Sequence, residues 1–188
     1  ADLLMTPSKD ADANLAREGI DPNRIKLVGN VMIDTVVRLL PVAQDRWPDM
    51  SRRLGLEQGG YALVTLHRPS NVDSPATLKA IMADLATMAE SMPVIFPVHP
   101  RTRGRLEAQD ADDLGGRVNK VEPLGYLDFL SLQANARLVV TDSGGLQEET
   151  TYLGVRCITV RQNTERPITI ERGTNTLAPP SRLRQAIQ

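Results

Sequence analysis

Short apolar runs alternate with helical patterns along almost the whole chain, and this alternation is the feature that most limits the fold. Residues 61–66 and 138–141 are rich in apolar and β-branched residues, as strands buried on both faces are. Between such runs apolar residues recur at steps of three and four, the period of a helix core face, most clearly at Leu78, Ile81, Met82, Leu85, Met88 and Met92. The sequence therefore predicts an α/β protein with a parallel sheet covered by helices on both faces.

The remaining elements follow from the same two patterns. We expect further strands at 3–6, 25–28, 94–98, 118–121 and 157–160. We expect helices at 8–18, 101–109, 126–135 and 145–153, and a longer one that begins at Asp73 or Ser74. The helical stripe that starts at Val31 should stop at Pro41, because a proline inside a helix lacks the N–H donor. Residues 41–48, bounded by two prolines, are the best candidate for a linker.

Composition excludes several kinds of function. The net charge of -1 and the 3% of aromatic residues offer neither the basic face nor the stacking surface that nucleic acids need. One Cys and two His do not supply a zinc site, and Cys157, in an apolar run, is interpreted as a small core residue. No run approaches the ~18 apolar residues of a membrane span, and the first residues do not resemble a signal peptide. We expect a soluble, cytoplasmic protein with no membrane or nucleic-acid partner.

Polar residues, glycines and arginines follow most of the predicted strands. They lie at 67–71, 99–102, 123–126, 142–145 and 161–167. In parallel sheets, ligands bind beyond the carboxyl ends of the strands, where loops lead into helices. The sequence therefore predicts a binding site at this edge of the sheet.

The segment 138–149 is the most informative one at that edge. A strand is followed by Ser143, Gly144 and Gly145, which lead into a helix whose free N–H groups and dipole favour an anion such as a phosphate. The segment has neither P-loop nor G-x-G-x-x-G spacing, so taken alone it fits a plain tight turn equally well. Glu149, one turn further on, could accept two hydrogen bonds from a ribose diol, or could simply stabilise the start of the helix.

Basic side chains add to the signal. His67 and His99 are the only histidines, and each follows an apolar strand, which favours anion binding or proton transfer over two ordinary turn residues. Arg161 and Arg166 follow the strand at 157–160 and could neutralise a diphosphate; exposed arginines with no specific partner are the alternative.

Four motifs together resemble the non-hydrolysing UDP-N-acetylglucosamine 2-epimerases. They are TLHRPSNVD at 65–73, FPVHPRT at 96–102, TDSGGLQEE at 141–149, and NTERP at 163–167 continued by GTN at 173–175. Their order and spacing are those of the family. The resemblance implies the two-lobed glycosyltransferase-B architecture, in which the substrate lies between two Rossmann-like domains, and this chain resembles the carboxyl-terminal half.

The resemblance also implies roles for individual residues. The Ser-Gly-Gly turn would hold the diphosphate of UDP, and Glu149 would hold the ribose. Phe129 and the backbone around Leu124 would contact uracil, whereas Arg166 and His67 would reach the phosphate and sugar, with His67 as the one catalytic acid or base. The implied substrate-binding set is His67, Leu124, Phe129, Ser143, Gly144, Gly145, Glu149 and Arg166.

The implied activity is an isomerase reaction that interconverts UDP-N-acetylglucosamine and UDP-N-acetylmannosamine by elimination and re-addition of UDP, without a metal or cofactor. Two alternatives stay open. One is a UDP-sugar glycosyltransferase or hydrolysing epimerase of the same fold, and the other is a non-catalytic UDP-sugar binding module.

The domain organisation follows from the same comparison. We expect residues 1–45 to be a remnant of the first lobe with the interdomain linker, and residues 46–188 to be the carboxyl-terminal nucleotide-binding lobe. The chain begins at Ala1 without an initiator Met, which suggests a piece of a longer protein. The full-length protein should form a homodimer, and this chain alone should be inactive, because the family's catalytic carboxylates lie mostly in the first lobe.

Overall fold

The structure is a computed structural model that describes residues 1–108 and 118–188, and it divides the chain into two units, residues 1–38 and 39–188. In the first unit, β1 (Leu4–Thr6) pairs in parallel with β2 (Ile25–Leu27), and α1 (Lys9–Arg17) connects them. Helix α1 starts after Ser8 and ends before Gly19, whose φ of 80° favours glycine. These elements confirm the expected strand–helix–strand pattern.

The second unit contains a six-stranded parallel sheet. Its spatial order is β5-β4-β3-β6-β7-β8, and the strands are β3 (Ala62–Thr65), β4 (Val94–Pro97), β5 (Val118–Val121), β6 (Leu138–Thr141), β7 (Arg156–Thr159) and β8 (Asn175–Leu177). The helices are α3 (Trp47–Leu54), α4 (Pro69–Val72), α5 (Pro75–Met88), α6 (Pro100–Ala108), α7 (Tyr126–Asn135), α8 (Gly144–Leu153), α9 (Ile168–Glu171) and α10 (Leu183–Ile187). All five strand pairings are parallel, which confirms the predicted sheet.

Two apolar cores lie on opposite faces of this sheet. Successive strand residues point to opposite sides, so Val64 belongs to one core and Leu63 to the other. The first core includes the stripe of α5, and Met92, which follows the end of that helix, packs at the margin; the buried members of the stripe are Leu78, Ile81, Met82, Leu85 and Met88. The second core includes Met50 of α3 and Leu132 of α7. Helices therefore cover both faces, as the buried apolar strands require.

The expected helix stop at Pro41 is wrong, and the candidate linker at 41–48 is mostly helical. Helix α2 (Val31–Gln44) continues through Pro41, and α3 begins at Trp47. Proline removes one donor but keeps its carbonyl, which accepts a hydrogen bond from the N–H of Asp45 at 3.1 Å. Ala43, two residues beyond the expected stop, is fully buried. Burial of the apolar face of α2 therefore outweighs the local cost of the proline.

Other elements differ in extent. The patterns missed the eight-residue α3, the short elements β8, α9 and α10, and α4, most of which lies inside a segment interpreted as loop. The expected end of α6 at Gln109 lies outside the described residues. The assignment of residues 1–45 to a first lobe stays a prediction. Among the residues described, no helix combines the length and apolar character needed to cross a membrane.

Candidate functional site

The strand order reverses between β3 and β6, and this reversal creates a crevice at the carboxyl edge of the sheet. Strand β3 connects onward to β4 on one side, while β6 connects to β7 on the other. Thr65 and Thr141 are register partners at the ends of the two central strands. Parallel α/β sheets bind ligands at such switch points. His67 and Asp142 leave these two strands, so the topology brings them together.

Asp142 is fully buried and organises the loop after β3. Its carboxylate accepts hydrogen bonds from the backbone N–H groups of His67 and Arg68, at 3.0 and 2.8 Å for Oδ2. The side-chain amide of Asn71, itself buried, donates to the same oxygen at 3.1 Å. Burial raises the pKa of Asp142, but the hydrogen bonds from His67 and Arg68 outweigh it and leave that pKa below its ordinary value.

His67 is held by the same carboxylate through its ring. Its Nδ1 lies 3.0 Å from Oδ1 of Asp142, while its side chain is 42% exposed. The hydrogen bond to Asp142 raises the pKa of His67, against opposing contributions from burial and from the charge of Arg68. With Nδ1 on Asp142, Nε2 is the nitrogen available to exchange a proton with a ligand. The ring of His99 lies beside it, with a centroid separation of 6.1 Å.

The Ser143–Gly145 turn begins helix α8 at the same edge. Ser143 is the N-cap residue, and its N–H donates to Oγ1 of Thr141 at 3.0 Å. Gly144 lies so close to the Glu165 carboxylate that a Cβ at this position would collide with Oε1. The first N–H groups of an α-helix have no partner within the helix, so this turn can bind an anion.

Two arginines surround the Glu165 carboxylate near this turn. Nη1 of Arg161 lies 2.7 Å from Oε2, and Nη2 of Arg68 lies 3.8 Å from Oε1. The charges of Arg161 and Arg68, with hydrogen bonds to the carboxylate, lower the pKa of Glu165 although burial acts in the opposite direction. Arg161 therefore has a specific partner in its own loop, and the Glu165 carboxylate offsets its charge.

Glu149 lies one turn into α8 and is only 4% exposed. Its Oε1 accepts a hydrogen bond from the hydroxyl of Tyr126 at 3.4 Å, whereas Oε2 has no partner among the described residues. Burial raises its pKa, and interactions with the Gln133 amide and Tyr126 partly offset that effect. The preceding Glu148 has a different environment: its Oε2 lies 3.5 Å from Nε of Arg166. Arg166 is therefore placed beside α8 through Glu148.

Leu124 precedes α7, and Phe129 lies in its first turn. Both are half-buried and pack against the core that contains Met50 and Leu132. Among the residues that the structure describes, no hydrogen bond or ion pair joins Leu124 or Phe129 to the Ser143–Gly145 turn. They are connected to it through α7, which contacts α8.

The sequence patterns did not predict a buried network of polar side chains between the start of α8 and the 161–167 loop. Gln147 is fully buried, and its Nε2 donates to the carbonyl of Ser143 at 3.2 Å. Its Oε1 accepts from the hydroxyl of Thr164 at 2.6 Å and from Nδ2 of Asn175 at 3.1 Å. Thr164 in turn accepts from the N–H of Arg166 at 2.9 Å. This network fixes the 161–167 loop against the start of α8.

The sequence gives weaker signals for these supporting residues than for the glycines. Asp142, Gln147 and Thr164 all lie inside the motifs at 141–149 and 163–167, where their positions could have drawn attention. Tyr126 and Gln133 lie in a helix that reads as ordinary core.

Comparison with known proteins agrees with the resemblance. The family model described as UDP-N-acetylglucosamine 2-epimerase matches residues 1–188. A UDP-N-acetylglucosamine 2-epimerase of Methanocaldococcus jannaschii is 41% identical over 181 residues, which are 93% of this chain and 49% of that protein. A Methanococcus maripaludis enzyme of the same name is 37% identical, over 95% of this chain and 50% of its own length. The chain thus spans about half the length of these relatives.

Solved structures give the same result. The Methanocaldococcus jannaschii enzyme in complex with UDP-GlcNAc and UDP superposes with a TM-score of 0.88 at 39% identity, covering 100% of this chain and 53% of that one. The Neisseria meningitidis enzyme bound to UDP-GlcNAc gives 0.85 at 25% identity, covering 99% and 52%. The parallel α/β sheet corresponds to the carboxyl-terminal lobe of this glycosyltransferase-B-like fold, which confirms the expected fold class.

Proposed function

The chain belongs to the UDP-N-acetylglucosamine 2-epimerase family, and on that premise we propose that it is the UDP-binding part of such an isomerase. Its substrates would be UDP-N-acetylglucosamine and UDP-N-acetylmannosamine. The observation that supports this most directly is the buried Glu149 one turn behind the Ser143–Gly145 turn, at the switch point of the sheet. A helix start suits a diphosphate, and a carboxylate one turn further suits a ribose diol.

The proposed reaction changes the configuration at C2, whose proton no neighbouring carbonyl acidifies. A base removes the C2 proton, and the electron pair of the C2–H bond becomes the C1=C2 double bond of a 2-acetamidoglucal. The bond from C1 to the diphosphate oxygen breaks, and its electron pair leaves with UDP. UDP then adds back to C1, and C2 receives a proton on the opposite face. Each direction separates and rejoins the same two fragments, so no oxidant or cofactor is consumed.

The residues of this chain act on the leaving group in that scheme. Negative charge develops on the diphosphate as the C1–O bond breaks. The N–H groups of Gly144 and Gly145, together with Arg166, are proposed to stabilise that charge, and one such donor is worth on the order of 3 kcal/mol. Because Glu148 holds Arg166 beside α8 at 3.5 Å, the guanidinium is positioned before substrate binds.

His67 is the proposed acid or base of this half of the site. Asp142 binds Nδ1 and thereby fixes the orientation of the ring. The hydrogen bond to Asp142 raises the pKa of His67, which favours the protonated form that a general acid needs. A single histidine can exchange a proton with only one face of C2, so the opposite face requires a second acid or base.

The ribose role of Glu149 is tested by comparing neighbouring substitutions. Glu149→Ala should weaken UDP binding at least a hundredfold, because two charge-assisted hydrogen bonds are lost, each worth roughly 1.5–3 kcal/mol. Glu148→Ala is the comparison variant: it releases Arg166 from its half-buried ion pair and should weaken UDP binding by less than about fivefold, because such a pair is worth no more than about 1 kcal/mol. Adjacent helical residues point about 100° apart, so the two carboxylates do not share a ligand. Calorimetric titration measures both, and equal effects would refute the ribose assignment.

A further inference from the structure

The Glu149 carboxylate is enclosed by two residues of α7 to which no role has been given. Tyr126 starts that helix, and Gln133 lies seven residues later, two turns along the same face. The Tyr126 hydroxyl donates to Oε1 of Glu149 at 3.4 Å, and Gln133 is fully buried. Gln133 is close enough to lower the pKa of the carboxyl, although its amide atoms have no partner at hydrogen-bond distance among the described residues.

Burial of this carboxylate is costly unless its oxygens are satisfied. A buried ionised group without hydrogen bonds tends to take up a proton instead of keeping its charge. Glu149 receives one long hydrogen bond at Oε1, and Oε2 accepts none from the described residues. Its environment is therefore incomplete by itself, and a ligand with two hydroxyl donors would complete it.

Tyr126 has the properties of a residue that orients such a carboxylate. Burial and the adjacent Glu149 raise the pKa of the Tyr126 phenol to about 12, so it remains a donor throughout the physiological range. Tyr126 is 41% exposed and Glu149 only 4%, so the hydrogen bond joins a solvent-exposed residue to a buried carboxylate.

We propose that Tyr126 is a positioning residue, which holds Oε1 of Glu149 through its hydroxyl so that the carboxylate is oriented and charged for the two ribose hydroxyls of a uridine nucleotide. This inference rests on the proposed function, because it assigns Tyr126 a part in the same ribose contact. Tyr126 acts through Glu149 and contacts no reacting atom. Its contribution to binding depends on the ribose hydroxyls being present.

Two ligands separate this role from a purely structural one. UDP carries both ribose hydroxyls, and 2′,3′-dideoxyuridine diphosphate carries neither. Tyr126→Phe should weaken UDP about tenfold and leave the Kd of the dideoxy ligand unchanged. In a Glu149→Gln background the same change should have no further effect on UDP. Titrations followed by NMR measure Kd into the millimolar range, so the weaker pairs are covered.

A matched control is available on the neighbouring helix. Tyr152 is 50% exposed and lies on α8, so Tyr152→Phe removes a phenol without touching Glu149 and should leave both Kd values unchanged. The proposal is overturned if Tyr126→Phe weakens both ligands equally, leaves UDP unaffected, or tightens it. Failure of the unaltered chain to bind UDP would instead contradict the proposed function, and this inference with it.

Discussion

Asp142 is buried, and a carboxylate in such a position would ordinarily favour its neutral form. It remains charged because three donors from the loop after β3 and the ring of His67 converge on it. The interaction stabilises the protonated form of His67 in return. The pair therefore makes folding stability depend on pH in a direction that can be worked out.

The contribution of His67 to stability should decrease as pH rises. Its pKa is raised in the folded chain above the ordinary value of 6.5, so the stabilisation is fully present below pH 6.5 and is lost as pH passes through the raised pKa. Because the ring is 42% exposed, the effect should be about 0.5 kcal/mol. Urea unfolding from pH 6 to pH 9 should show a difference between wild type and His67→Gln that shrinks with pH. In an Asp142→Asn background that trend should vanish; a difference constant with pH would contradict the assignment.

Sequence reasoning located the residues of the site better than their partners. His67, Ser143 and Glu149 follow strands or open a helix, and these are positions that local patterns reveal. Asp142 binds a group 75 residues away, and Tyr126 reaches a carboxylate 23 residues away. Such pairings depend on the order of strands in the sheet and on helix packing, which a single sequence does not specify. The assigned roles in substrate binding stay predictions.

At the scale of elements, strong local patterns were reliable and weak ones were not. The predicted strand at 138–141 and the predicted helix at 126–135 agree with the structure to the residue. Strand β8 was missed, since its three residues include two polar ones and are recognisable only from their pairing with β7. The stop expected at Pro41 was wrong because the rule for proline is local, whereas burial of Ala43 is tertiary.

Helix α5 should stabilise the fold mainly through the apolar residues that it buries against the sheet. Leu85 is fully buried in the core that covers one face of the sheet. Leu85→Ala should reduce the free energy of unfolding by about 3 kcal/mol, from the lost transfer free energy and the cavity that remains. Lys79→Ala on the exposed side of the same helix should change it by less than about 0.5 kcal/mol. Chemical denaturation measures both, and a loss below about 1 kcal/mol at Leu85 would show that the core closes around the gap.

At the scale of the whole molecule, the chain covers about half of its relatives. The edge formed by the carboxyl ends of β3 and β6 carries one proposed proton-transfer residue, His67, together with groups suited to phosphate and ribose. Formation of a homodimer by a full-length protein stays a prediction. Under the proposed function this chain would bind the nucleotide, and the group that acts on the opposite face of C2 would come from outside it.

We therefore expect the 188-residue chain to bind UDP but not to epimerise UDP-N-acetylglucosamine. Epimerisation removes a proton from one face of C2 and returns one to the other face. His67 can reach only one of these faces, and Glu149 is assigned to the ribose. A site open to water also weakens the electrostatic stabilisation of the departing diphosphate and releases the glucal intermediate. Proton exchange at C2, followed by NMR in deuterated water, measures the first chemical step.

The control for that experiment is the same chain supplied with the amino-terminal half of a relative, joined in cis or added in trans, which should restore exchange. Addition in trans is the more informative experiment, because it leaves this chain unaltered and shows whether non-covalent association of the two halves is enough for exchange. Deuterium incorporation by the chain alone, at a rate of order 1 s⁻¹ as in a working enzyme, would mean that His67 and its neighbours reach both faces of C2. In that case the carboxyl edge of this one sheet would hold a complete catalytic site.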